Sequence, residues 1–214
     1  MQDNIQAIKR ALPKEVTFIV VTKTYPPEMI MQVYDAGHKI FGENKVNEMR
    51  EKYEALPKDI EWHLIGHLQT NKVKYIASFV KLIHSVDSLK LLQEINKQGL
   101  KNNRVIDCLL QIYIAKEETK FGMEQKEAEE LLLSEAFKKL QNIRIIGLMG
   151  MATNTDNLEQ VRNEFRSLKT FYDKLQNRNH NFQTLSMGMS SDYTIAIEEG
   201  SNMIRIGSAI FGKR

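Results

Sequence analysis

Two groups of residues in this sequence could do chemistry, and they lie at opposite ends of it. The first is Lys23, which closes the apolar, β-branched run "VTFIVVTK" at residues 16–23. A buried strand is a costly place to end a charged side chain. An amine held beside apolar walls gives up its proton more easily, and the neutral form attacks an aldehyde to make a Schiff base. The plainer alternative is a lysine whose stem snorkels to a rim. The second group is "SMGMSSD", residues 186–192, together with "RIGSAIFG", residues 205–212. Gly188 and Gly207 let the backbone come close to a ligand. Ser190, Ser191 and Ser208 supply hydroxyls, which is the make-up of a phosphate cup. Turn formation and helix capping would use the same residues, with Ser190 the candidate cap. Arg205 stands between apolar neighbours in "MIRIG". It reads either as a buried arginine paired with a carboxylate or as a donor to a ring nitrogen or phosphate of a ligand.

Elements must bring these groups together, and the sequence has a regular beat of them. β-Branched runs alternate with segments of helical periodicity. The strand segments are "TFIVVTK", "KIFGEN", "EWHLIG", "KLIHSVD", "RVIDCLLQIYI", "IRIIGLMGM", "QTLSMG" and "NMIRIGSAIFG". A helix, "NIQAIKRAL", precedes the first of them. Pro26-Pro27 starts the next helix, and Gly37, Gly99 and Gly200 read as helix stops. Asp87 or Ser88 is expected to cap "LKLLQEINKQ", and Thr155 or Asp156 the long helix after it that begins "TDNLEQ". "NKVKYIASF" and the unbroken "EQKEAEELLLSEAFKKL" are read as further helices.

Eight strands alternating with helices predict an α/β fold, a single (β/α)8 TIM barrel with an extra N-terminal helix. The rival, an open doubly wound sheet, would carry a glycine fingerprint after its first strand, where this sequence has Thr22-Lys23-Thr24. No linker divides the chain, so residues 1–214 are expected to be one domain. In a barrel, chemistry collects at the C-terminal strand ends. Here those ends carry Lys23, Glu43 and Asn44, Gly66 and His67, Ser85 and Asp87, Tyr113, Met149 and Gly150, and then the two glycine-serine segments. Lys23 meets the cup only when the barrel closes, and together they suit a ligand with both an aldehyde and a phosphate. Met187 and Met189 are placed to touch such a ligand.

Composition narrows the rest. Formal net charge is +3, and no lysine-arginine run is interleaved with aromatics, which disfavours nucleic acid. No apolar run reaches membrane-span length, and the N-terminus lacks the apolar core of a signal peptide. Cys108, the single cysteine, cannot form an internal disulfide and sits in an apolar run that suits an inert thiol. These features predict a soluble cytoplasmic protein. His63 and His67 could share a strand face, but nothing completes a metal set, so no metal is expected and His63 reads as a packed, hydrogen-bonded histidine beside Trp62. Glu43 and Asp87 read as separate rim carboxylates. "KEETKFG", with Lys116 and Lys120, reads as a solvated loop over the mouth.

Six segments, "VTKT", "FGEN", "WHLIGHLQTNK", "IHSVD", "LSMGMSSD" and "MIRIGSAIFG", occur in the order in which they resemble the pyridoxal phosphate homeostasis protein family, relatives of the N-terminal barrel of alanine racemases. The resemblance runs from about Ile5 to Gly212. It implies pyridoxal 5′-phosphate (PLP) as cofactor, held as a Schiff base on Lys23. It implies that Asn44 lines the pocket, that Ser190, Gly207 and Ser208 hold the phosphate, and that Arg205 faces the ring or the phosphate. Thr22 stands where the family more often has serine, and Tyr113 where it often has asparagine.

An arginine at the ring nitrogen would disfavour its protonation and weaken the ring as an electron sink. Racemisation also needs an acid/base group on each face of the α-carbon. The related racemases draw one from an added β-domain, and this chain ends at Arg214 directly after the eighth strand. The expectation is therefore a monomeric, non-catalytic carrier acting in intracellular vitamin B6 homeostasis, with apo-enzymes that use PLP as recipients. The alternatives are a PLP-dependent amino-acid racemase and a cofactor-free Schiff-base lyase.

Overall fold

The computed structural model describes residues 2–116, 121–178 and 181–212. The strands are β1 (Thr17–Val21), β2 (Ile40–Glu43), β3 (Glu61–Leu64), β4 (Leu82–Val86), β5 (Ile106–Gln111), β6 (Ile143–Met149), β7 (Thr184–Met189) and β8 (Met203–Ile206). They pair in parallel, each with the next, into a closed barrel. Closure sets the register Phe18↔Ile204, Ile19↔Arg205 and Val20↔Ile206 between β1 and β8. The predicted (β/α)8 barrel is the observed fold.

Alternation along the strands explains two packed layers. Phe18, Val20, Phe41, Trp62 and Leu64 point outward and are buried under the helices with Phe165 and Leu168. Each such side chain contributes ~1.5–3 kcal/mol by leaving water. The alternate positions Leu82, Leu109 and Met149, with Ile146, form a smaller cluster to which Met151 and Met203 add. Parallel strands buried on both faces read as nearly continuous apolar runs, which is why they were visible in the sequence.

The helices are α1 (Gln2–Ala11), α2 (Pro27–Asp35), α3 (Val46–Ala55), α4 (Leu89–Lys101), α5 (Gln125–Leu133), α6 (Glu135–Lys138), α7 (Leu158–Gln176), α8 (Tyr193–Glu198) and α9 (Ser208–Phe211). α1 is the expected extra helix, and Asn4 Nδ2 donates to Ile210 O at 3.1 Å in α9. Pro27 opens α2, and Gly37 follows it at φ +79°. Ser88 Oγ accepts from Leu91 N at 3.3 Å, so serine rather than Asp87 caps α4.

Several boundaries differ from the sequence reading. β1 stops at Val21, and Thr22 and Lys23 belong to the turn that follows. The segment between β3 and β4 is a 3₁₀ helix, Thr70–Tyr75, with β-branched residues and no side-chain cap at Gln69. Gly99 does not stop α4. A Cβ there would lie 2.6 Å from Asn142 O, so the glycine permits close packing inside the helix. The α5–α6 segment breaks at Ser134, whose hydroxyl accepts from Phe137 N at 3.2 Å and restarts the helix. Asn157, not Thr155 or Asp156, caps α7 by accepting from Gln160 N at 3.1 Å. Among the described residues no helix is long and apolar enough to cross a membrane.

Candidate functional site

A cleft of about 490 Å³ opens at the C-terminal ends of the strands, within the ~300–1,000 Å³ usual for small-ligand sites. Lys23, Asn44, Met189, Ser190, Arg205, Gly207 and Ser208, all expected to meet the ligand, line it. The chain ends thus meet as the barrel predicts. Met187 does not line the cleft. It is fully buried in the layer beneath the helices, so of the two methionines expected to touch the ligand only Met189 lines the cleft. The register of β7 against β8 shifts between Ser186 and Met189, which breaks the simple alternation that a sequence reader would apply.

Lys23 is exposed, on a turn closed by Tyr25 N donating to Thr22 O at 3.0 Å. Thr24 takes φ +66° in this turn, a left-handed conformation that an ordinary residue adopts only at a cost. Tyr25 also lines the cleft and stacks on Phe211 with ring centroids 4.1 Å apart. Across the mouth, Ser190 does not cap α8, whose N-cap residue is Asp192. Its hydroxyl accepts from Gly207 N at 3.1 Å and so ties the β7–α8 loop to the β8–α9 loop. A Cβ at Gly207 would come within 3.3 Å of Val21 O, so glycine keeps this wall of the cleft open beside β1. Amine on one side and hydroxyl-bearing, glycine-bearing loops on the other are donors suited to an aldehyde-bearing phosphate. The residues present therefore fit such a group.

Arg205 is 3% exposed and points into the barrel. It donates to Ser186 O at 3.0 Å, Ser186 Oγ at 2.6 Å and Gly150 O at 3.0 Å. These partners are carbonyls and a hydroxyl rather than the carboxylate considered from sequence. Burial lowers its pKa to about 10, partly countered by Asp192, so it remains a cation at neutral pH. Behind it runs a polar chain in which His63 is packed and hydrogen-bonded as expected, through partners that the sequence reading did not name. Ser186 Oγ lies 3.0 Å from His84 Nδ1, and His84 Nε2 lies 3.0 Å from His63 Nδ1. Burial pushes His63 down to about 3 and His84 well below its ordinary value, so both imidazoles stay neutral. The signal was in the sequence: both histidines fall at inward positions, next to outward Trp62 and Ile83.

His63 is thus engaged inside the barrel, whereas His67 sits at the mouth, stacked on Phe121 at 4.3 Å with its Nδ1 3.5 Å from Asp87 Oδ2. The two do not converge, and among the described residues no group of three or more His, Cys, Asp or Glu side chains is placed to hold a metal ion. Glu43 is not a rim carboxylate. It is fully buried and ion-paired with Lys52 at 2.7 Å, a partner that the sequence reading did not single out. Tyr113 donates its N–H to Met123 O at 2.9 Å, away from the cleft-lining residues. Cys108 is buried, and burial pushes its thiol far up, which makes it inert as expected. Of the loop "KEETKFG", Lys120 lies outside the described residues.

The family model described as "Alanine racemase, N-terminal domain" matches residues 1–214. A pyridoxal phosphate homeostasis protein of Aquifex aeolicus is 47% identical over 196 residues, covering 90% of this chain and 85% of its own. One from Vibrio alginolyticus is 38% identical over 207 residues, covering 94% and 88%. The structure of PipY from Synechococcus elongatus PCC7942 with PLP bound matches 99% of both chains at 32% identity and a TM-score of 0.89. An alanine racemase of Clostridium difficile 630 shares the fold, with a TM-score of 0.80 at 15% identity over all of this chain and 59% of its own.

Proposed function

The chain belongs to the family of the alanine racemase N-terminal domain and the pyridoxal phosphate homeostasis proteins, and from that premise we propose that it is a non-catalytic carrier of PLP, linked covalently through Lys23. It binds PLP and acts in the homeostasis of that cofactor, as its relatives' names and the PLP-bound PipY structure support. The observation that carries the covalent reading is the convergence of Lys23 with Ser190, Gly207 and Ser208 on one cleft.

When bound, PLP supplies an aldehyde carbon for condensation with an amine and a ring that can withdraw electrons. Lys23 Nζ is the amine that would condense with that aldehyde, with water as the leaving product. Ser190 and Ser208 donate hydroxyl hydrogens to the phosphate, beside the Gly207 backbone. Asn44 orients the ring from the β2 side. Arg205 keeps its protons at neutral pH, so it would donate a hydrogen bond to a ring nitrogen facing it and leave that nitrogen unprotonated. That arrangement weakens electron withdrawal and favours holding the cofactor over turning over amino acids. The carrier works as one cofactor-binding domain across residues 1–214, as a monomer in the cytoplasm, with apo-enzymes that use PLP as recipients.

The test compares absorbance spectra of wild type and Lys23→Ala with added PLP, before and after borohydride. Once unbound PLP is removed, the expected result is a protein-bound visible band in wild type alone, which fades on borohydride as the Lys23 peptide gains the mass of a pyridoxyl phosphate group. A band of equal strength in Lys23→Ala would refute the covalent reading. Sustained interconversion of alanine enantiomers by pure protein would refute the non-catalytic one.

A further inference from the structure

Both peptide groups that flank Lys23 are held by one buried cluster. Lys52 Nζ, on α3, donates to Thr22 O at 2.7 Å, Glu43 Oε1 at 2.7 Å and Glu48 Oε1 at 2.6 Å. An ammonium has three hydrogens, and here each has an acceptor. Thr22 Oγ1 donates to Glu43 Oε1 at 2.5 Å. Glu48 Oε1 also accepts from Thr24 N. Thr22 O belongs to the peptide before Lys23, and Thr24 N to the peptide after it. The direction of the Lys23 Cα–Cβ bond is therefore fixed by Lys52 and its two carboxylates.

The cluster is a poor device for stability alone. Glu43 is fully buried, and its Oε2 has no hydrogen-bond partner among the described residues. Buried ion pairs with unsatisfied atoms contribute little net stability and often lose to apolar packing. The strained Thr24 conformation points the same way, because strain persists only where surrounding contacts over-determine it.

We propose that Lys52, acting through Glu43, Glu48 and Thr22, is a positioning residue that aims Lys23 at the aldehyde carbon of the cofactor. The proposal rests on the reading of Lys23 as the covalent anchor. It assigns Lys52 no contact with the cofactor, so its loss should weaken the covalent link and leave phosphate and ring recognition intact.

Two ligands separate these contributions: PLP, and pyridoxine 5′-phosphate, which has an alcohol where PLP has the aldehyde. Releasing one fixed residue costs ordering free energy equivalent to ~5–30-fold in affinity. Lys52→Met is expected to lose about that factor for PLP and to change less than about twofold for pyridoxine phosphate. Thr22→Val, which keeps the shape of the side chain, should lose a smaller factor for PLP, and Thr22→Ser should restore it. In cofactor-free protein, amide hydrogen exchange at Thr24 should accelerate in Lys52→Met. Should Lys52→Met fail to fold, the Thr22 pair decides the matter by the same two affinities. Parallel losses for both ligands would make the cluster purely structural and overturn the proposal, as would no loss for either. Lys23→Ala binding PLP as tightly as wild type would instead overturn the covalent reading itself. Loss in Lys23→Ala without loss in Lys52→Met or Thr22→Val would overturn the positioning alone.

Discussion

Acid should unfold this protein well above the pH at which most carboxylates protonate, because it folds with neutral imidazoles inside. His38 is 5% exposed, stacked on Phe18 at 4.4 Å, with Nε2 2.8 Å from Ile40 O. Burial lowers its pKa from 6.5 to about 4, and burial lowers His63 to about 3. In the unfolded chain both titrate near 6.5. Between that value and the folded one, the unfolded state binds the extra proton and the folded state does not. Stability therefore falls as pH drops through 6.5 and keeps falling to about 4 for His38 and about 3 for His63. From pH 7 to pH 5 about 1.5 units of that window are crossed, which at 1.36 kcal/mol per unit is ~2 kcal/mol for each histidine. Glu43 works in the opposite sense. Burial raises its folded pKa above 4.5, so its contribution is present at low pH and fades as pH rises through that folded value. A variant isolates the histidine: His38→Gln keeps an N–H for Ile40 O and cannot titrate. Urea unfolding at the two pH values should show wild type losing ~2 kcal/mol more than His38→Gln. Equal pH dependence in the two proteins would refute the argument that His38 is held neutral by burial.

The remaining predictions concern the cleft. Gly66→Ala would place a Cβ 2.4 Å from Asn44 O and 2.7 Å from Asn44 Cα, both backbone atoms that cannot swing away. PLP affinity, measured by equilibrium dialysis, should fall ~tenfold or more, because Asn44 must move out of the cleft; unchanged affinity would remove Asn44 from the site. Met189→Ala should weaken PLP binding while Met187→Leu leaves it unchanged, and the reverse order would contradict the observed lining.

The barrel was legible because its strands are buried on both faces and its turns carry Pro27, Gly37 and Gly200 at the required places. Lys23, Asn44, Arg205 and the serine-glycine cup were legible because chemistry in this architecture gathers at strand ends, so strand order alone brings them together. Three kinds of feature were not. Met187 was misplaced because a register shift in β7 is invisible to period-two counting. The caps at Ser88 and Asn157 depended on which of two adjacent polar residues turns its oxygen toward the helix. Lys52 was passed over because charged residues on a helix are ordinarily solvated, and only its neighbours Glu43 and Thr22 show that this one is inside.

The pairing of β1 with β8 has a consequence for how long the folded chain survives. The cleft straddles that seam, with Lys23 just past one strand and Gly207 and Ser208 just past the other. A ligand held from both sides of the seam, as proposed, would oppose any excursion that parts the two strands, by ~2.7 kcal/mol at a hundredfold excess over Kd. Protein without PLP is then expected to expose the edges of β1 and β8 more often, and limited proteolysis with and without PLP would show it.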